Sequence, residues 1–254
     1  MIRFRPLLLP TLITLPALAV LIGLGQWQLD RLAWKTDLIA RATSRSDAPP
    51  VDLPPPSAWP SLPLEEWEYR PVRMTGAFDH ANEFHVFTSL PDPRGRYGGP
   101  GYWVVTPLLL DAGGTVFVNR GFVPARNKEL ESRGDGQIGG PLTITGLLRL
   151  SEAGTMLTPA PDPDQRIWYL RDADAFAREL GLIDAAPFLV DARETPPGGL
   201  PQADETRLTF RNEHLSYALT WFGLAAVLVV IYGAFHAKRG RLRLGRHSRR
   251  DESA

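Results

Sequence analysis

The 254-residue sequence contains no cysteine. That excludes disulfides, thiolate zinc sites, iron–sulfur clusters and the soft thiolate ligands that suit Cu(I), so no copper site is expected. Lysine is nearly as scarce, with only Lys35, Lys128 and Lys238 among 28 basic residues, so arginine carries the positive charge. Net charge is zero, which removes overall charge as a guide to partners and gives no reason to invoke nucleic acid. Catalytic signatures are missing too. No G-x-S-x-G, S-x-x-K or H-E-x-x-H occurs, and no Walker or Rossmann glycine pattern joins a strand to a helix. With no nucleophile, base and orienting partner in view, the sequence reads as a protein that is not an enzyme.

Charge is also absent from two long stretches. Pro6–Gly25 is uncharged and leucine-rich, and about 20 residues at 1.5 Å each cross a hydrocarbon core of roughly 30 Å. Pro10 and Pro16 interrupt it, which a membrane helix tolerates. A cleaved signal peptide is the rival reading, with Arg3 and Arg5, then Leu7–Leu15, then Ala17-Leu18-Ala19. The run continues through Leu24 to Trp27, which favours an uncleaved anchor. Leu215–Phe235 is the second span, with Tyr217 and Trp221 near one end and Tyr232 near the other. Seven basic residues follow between Lys238 and Arg250, which makes that tail cytoplasmic by the positive-inside rule. Two spans then put Arg3 and Arg5 on the same side and the intervening chain outside, in the periplasm of a bacterium. The expected localisation is the bacterial inner membrane with both termini cytoplasmic.

The resulting division is a transmembrane helix over 6–26, its extension at the membrane surface over 27–46, and a proline-rich linker over 47–64. A periplasmic β-rich domain over 65–211, a second transmembrane helix over 214–236 and a basic cytoplasmic tail over 237–254 complete it. Seven prolines between Asp47 and Pro63 predict an extended spacer. Strands are predicted at 69–78, 83–88, 102–110, 115–122, 142–150, 187–191 and 207–210, divided by glycine- and proline-bearing turns. One soluble helix is predicted over 172–180, with Asp172 as N-cap and Gly181 as its stop. The fold class is therefore an α+β membrane protein, two transmembrane helices flanking a small antiparallel, barrel-like extracytoplasmic domain with one inserted helix. Arg94–Gly101 reads as a mobile loop, and His80 and His85 read as surface residues.

The residues richest in chemistry stand at the membrane boundaries. If the first helix continues outward, Trp27, Arg31, Trp34 and Leu38 form one stripe, with Gln28 and Lys35 beside it. Headgroup anchoring explains such residues; so does a cationic, aromatic ledge for an anionic planar ligand or a partner's helix. At the second helix His214, Ala218, Trp221 and Ala225 share a face. His214 is either an interfacial polar residue or a ligand facing the helix pair.

Five blocks stand out in order along the chain: Gly25-Gln26-Trp27-Gln28 through Arg31 to Trp34-Lys35, then Tyr69-Arg70-Pro71-Val72 with Thr75–Phe78, then Gly101–Leu108, then Val118-Asn119-Arg120-Gly121-Phe122-Val123-Pro124, and finally Asn212–Phe222. Together they resemble the surfeit-locus family of cytochrome c oxidase biogenesis factors, bacterial type. Phe122 stands where many bacterial members carry Trp. The resemblance implies a role in maturing the catalytic subunit of a haem–copper oxidase, with transiently held haem a as cofactor. It makes His214 the candidate axial ligand to haem iron, and neutral imidazole suits that role. From this we extrapolate that Arg31 and Lys35 pair with haem propionates and that Trp27 and Trp221 pack on the porphyrin. The implied partners are the oxidase's catalytic subunit, haem a synthase and membrane lipids.

Overall fold

The computed structural model describes residues 2–206 and 212–244. In chain order the principal elements are β1 (Ile2–Phe4), α1 (Leu8–Ser46), β2 (Val51–Asp52), a 3-10 helix (Pro56–Ser61), α2 (Leu64–Trp67), β3 (Pro71–Phe78), β4 (Phe84–Leu90), β5 (Gly99–Leu110), β6 (Thr115–Pro124), β7 (Leu142–Arg149), β8 (Ile167–Trp168), α3 (Ala173–Leu180), β9 (Ala185–Ala192), α4 (His214–Lys238) and β10 (Leu242–Leu244). They fall into two units. One holds the chain up to Ala40 together with α4 and β10; the other begins at Arg41 and carries the main sheet.

In the first unit α1 and α4 are each long and apolar enough to cross a membrane. Their side chains Leu8, Ile13, Val20, Leu219 and Val230 are exposed, unlike those of a helix in a soluble core. The expected span and its extension are one uninterrupted helix of 39 residues. Pro10 sits in its first turn, where a backbone N–H has no intrahelical partner to lose. At the start of α1 and the end of α4 the chain pairs β1 with β10, antiparallel, Ile2 opposite Leu244. This sets the two tails side by side.

The second unit is a β-barrel. Strands β3, β7, β9, β6 and β5 pair in that order, and β5 pairs back onto β3 at Gly76–Phe78, closing the ring. Four of its five joints are antiparallel. The β6–β9 joint is parallel, which the sequence reading of an antiparallel domain lacks. Parallel neighbours need a long crossover, and β7, β8 and α3 supply it. Strand β4 extends the sheet beyond the ring, with β8 on its far edge.

Alternation places Val72, Met74, Val116, Val118, Leu148, Phe188 and Val190 in one buried cluster. The opposite face of β6 contributes Phe117 to a second cluster under α3, with Phe84, Trp168 and Phe176. The helix forms where expected. The Asp172 carboxylate accepts from the Asp174 and Ala175 N–H groups, and Gly181 ends it in the left-handed region at φ 65°.

The proline-rich segment is not an extended spacer. Val51 and Asp52 pair in parallel with β3, and the chain then turns through the 3-10 helix. Trp59 is 5% exposed, packs edge-on against Phe188 at 5.8 Å, and donates its indole N–H to the Pro54 carbonyl at 2.9 Å. An aromatic side chain with a partner for its N–H repays burial, and it draws the prolines onto the barrel. The strand expected at 207–210 lies outside the described residues.

Candidate functional site

The strand domain concentrates charge in its interior. His80 and His85, expected at the surface, belong to one such cluster. Glu83 is 2% exposed and pairs bidentately with Arg133, whose other N–H groups reach the Asn127 and Lys128 carbonyls. His85, 6% exposed, contacts the Glu83 carboxylate through Nε2 at 3.0 Å. Burial alone would raise the Glu83 pKa, but hydrogen bonds from His85 and Arg133 outweigh it and hold it below the ordinary value. His80 donates from Nε2 to the Ile138 carbonyl at 2.9 Å and accepts from Arg120 at Nδ1, 3.1 Å. Burial and the neighbouring Arg120 guanidinium lower its pKa, keeping it neutral.

Arg120 is aimed into this cluster by a bulge. Val104 faces Gly121 and Val105 faces Asn119, so Arg120 is the extra residue between them. Gly121 sits at φ 129°, and a Cβ there would lie 2.2 Å from the Gln202 carbonyl oxygen. The Arg120 head donates to the Gly136 carbonyl and, at 3.1 Å, to Gln137. Burial pushes its pKa down to about 10. A polar cleft of about 350 Å³ opens beside Glu83 and His85, lined also by Lys128, Gln165 and Arg166. Its buried acid is already held by His85 and Arg133, so we read it as structural.

Two further carboxylates are treated the same way. Asp191 receives Asn119, Arg149, Arg171 and Thr206. Glu205 accepts from the Arg94 and Gly95 backbone N–H groups at 2.8 and 2.7 Å and from Gln202 at 2.6 Å. The glycine-rich stretch expected to be a mobile loop is thus fastened at its start by an anion, the chain's own.

In the helical unit polarity is sparse and placed differently. Helix α4 begins at His214, and His214, Ala218, Trp221 and Ala225 do lie on one face, with Ala218 at 1% and Ala225 at 6% exposure. That face meets α1. Gly25 of α1 packs against Phe222, where an added Cβ would come within 2.6 Å of the ring. One turn on, Gln28 is 9% exposed and its Oε1 lies 2.7 Å from His214 Nδ1. At the other end Thr11 and Tyr232 share a hydroxyl hydrogen bond of 2.5 Å. The Leu7 N–H donates to His236 Nε2 at 3.1 Å.

Of the residues singled out from the sequence, the structure therefore puts His214 and Trp221 on the inward side of α4, and half-buried Lys35 two turns beyond Gln28. Trp27 and Arg31 belong to an outward stripe. Trp27 is 55% exposed, and the Arg31 guanidinium lies over the Trp34 ring at 4.2 Å. The residue that meets His214 is Gln28, which the sequence reading noted only as a flank of that stripe. The available signal was helical spacing, since Gly25, Gln28, Leu32 and Lys35 recur at three to four residues. Among the described residues no group of three or more His, Asp or Glu converges as a metal site.

Comparison with known proteins supplies the family. The SURF1 family model matches residues 15–226. Human Surfeit locus protein 1 is 43% identical over 217 residues, covering 80% of this chain and 70% of its own. The Takifugu rubripes protein of the same name is 37% identical over 234 residues, 87% of this chain and 94% of its own. A SURF1-like protein of Caenorhabditis elegans is 32% identical over 243 residues. The match runs from α1 through the barrel into α4, and on that extent the chain belongs to the SURF1 family.

Proposed function

We propose that this protein is an assembly factor for a haem–copper cytochrome c oxidase, holding or presenting haem a while the catalytic subunit matures. The observation that carries the reading is the His214–Gln28 contact. A histidine turned toward a neighbouring helix, with one ring nitrogen engaged by a buried amide, retains a second nitrogen for a ligand. Imidazole is a haem ligand, and the donor set here fits a single iron–imidazole bond. Haem a would be the cargo, and its iron would take the imidazole nitrogen. The chain's own residues bind and orient it: His214 at the iron, Lys35 and Arg31 at the propionates, Trp221 and the exposed Trp27 against the macrocycle. No catalytic step belongs to this role.

In this reading α1 and α4 cross the bacterial inner membrane, with the basic tails cytoplasmic and the barrel periplasmic. The outward apolar side chains of both helices support it, as does the antiparallel pairing of β1 with β10, which keeps the tails together. The oxidase's catalytic subunit and haem a synthase are the proposed partners. The test is purification of the full chain from cells that make haem a. A stoichiometric Soret band, lost in His214→Ala, is the expected result. A haem-free protein that still co-purifies with the oxidase subunit favours a scaffold that stabilises an assembly intermediate. Normal oxidase activity after deletion of the protein overturns both.

A further inference from the structure

We infer that Gln28 is the positioning residue for His214, fixing the imidazole in the tautomer that carries its proton on Nδ1 and leaves Nε2 bare for iron. The inference rests on the haem reading above. The two residues are 186 positions apart in sequence, yet Gln28 Oε1 and His214 Nδ1 lie 2.7 Å apart, a short, fully formed hydrogen bond. The packing around the contact explains how so short an amide reaches. Gly25, one turn earlier on α1, has no side chain, and the Phe222 ring fills the space beside it. The helices approach closely there, and Gln28 is buried at 9% exposure. A histidine that served only as an interfacial marker would take its hydrogen bonds from water and would need no buried amide.

The choice of an amide is itself informative. Partners of the distal nitrogen set the ring's orientation and its basicity toward a metal. A carboxylate in place of Gln28 would draw the Nδ1 proton strongly and make Nε2 a stronger donor. A neutral carbonyl oxygen orients the ring while leaving it a moderate ligand, which suits a group that is held and then surrendered. The same neutrality avoids placing a charge among the apolar faces of the two helices.

Two measurements on the full chain in detergent micelles test this. In the haem-free protein labelled with 15N-histidine, the His214 ring, assigned by its loss in His214→Ala, should show a protonated Nδ1 and a bare Nε2. Gln28→Leu should abolish that preference. In titrations with haem a, Gln28→Leu should weaken binding about 10–100-fold. Gln28→Glu should keep binding intact. The reduction potential of the bound haem should move upward in Gln28→Leu and downward in Gln28→Glu, an opposite pair of shifts that a packing role would not produce. Wild-type affinity and potential in Gln28→Leu, or a bare Nδ1 in the haem-free protein, would overturn the inference. A wild-type chain that takes up no haem a, yet shows the protonated Nδ1, instead overturns the haem reading beneath it.

Discussion

The barrel and the helix pair both bury polar groups, but they do it with opposite materials. In the barrel the buried groups are ionised and many-partnered, as with Glu83 among Arg133, Arg120 and His85, or Asp191 among two arginines, Asn119 and Thr206. The contacts joining α1 to α4 at Gln28, Thr11 and Leu7 are between an amide, imidazoles, hydroxyls and a backbone N–H. A buried carboxylate is tolerable only when several donors replace its water, and the barrel's loops supply them. Two apolar helices have few donors to offer, and no carboxylate takes part in these three contacts. The difference separates what holds the protein together from what it presents. Loss of one barrel charge strands its partners, whereas loss of one helix–helix contact strands little.

Breaking the first side of that contrast should have the largest effect. Glu83→Ala leaves Arg133 and Arg120 buried without their carboxylate, and a loss of about 3–5 kcal/mol is expected. Thermal unfolding of the full chain in micelles, followed by tryptophan fluorescence, measures it; a loss under 1 kcal/mol would contradict the account. The pH profile sharpens the same point. Both Glu83 and His80 have folded pKa values below their unfolded ones, about 4.3 and 6.5. The His80 contribution is therefore complete above about pH 6.5 and is lost as pH falls through its lower folded value. Glu83 adds stability above about pH 4.3 that is lost on further acidification, and Glu83→Ala should remove that second decline.

An intermediate effect is expected where the helices touch. Gly25→Leu drives a side chain into the Phe222 ring and should cost about 1–3 kcal/mol, read as a lower melting temperature of the helical unit by circular dichroism. The smallest effect belongs to His214→Leu. Hydrogen bonds between membrane helices average about 0.6 kcal/mol, so unfolding should barely change even though the proposed haem ligand is gone. A large destabilisation there would make His214 a structural residue and erase the contrast.

The parts of the fold readable from sequence were those with a short-range signature. Uncharged runs marked α1 and α4, strand-favouring residues between glycine- and proline-bearing turns marked β3 to β7 and β9, and Asp172 with Gly181 bracketed α3. The misread parts depend on partners far along the chain. His85 is buried because Arg133, 48 residues on, neutralises the carboxylate beside it. The prolines fold back because Trp59 finds Phe188. The glycine-rich stretch is fastened because Glu205 returns to it after more than a hundred residues. The candidate site follows the same rule. His214 stood out as a lone imidazole opening an apolar helix, but Gln28 gains meaning only once α1 and α4 are side by side.

Strand β6 has a consequence for how this chain can vary through time. All ten of its residues, from Thr115 to Pro124, are buried. A strand with one wet face can exchange every second residue at small cost, so half of it drifts. Here no position is free to drift, because one face fills the barrel and the other lies under α3 or in the charged clusters. Asn119, Arg120 and Gly121 are bound even more tightly, by a hydrogen bond to Asp191, a contact with His80 and a backbone that admits no Cβ. A saturating mutational survey should find its longest intolerant run in this strand, which carries no residue assigned to haem.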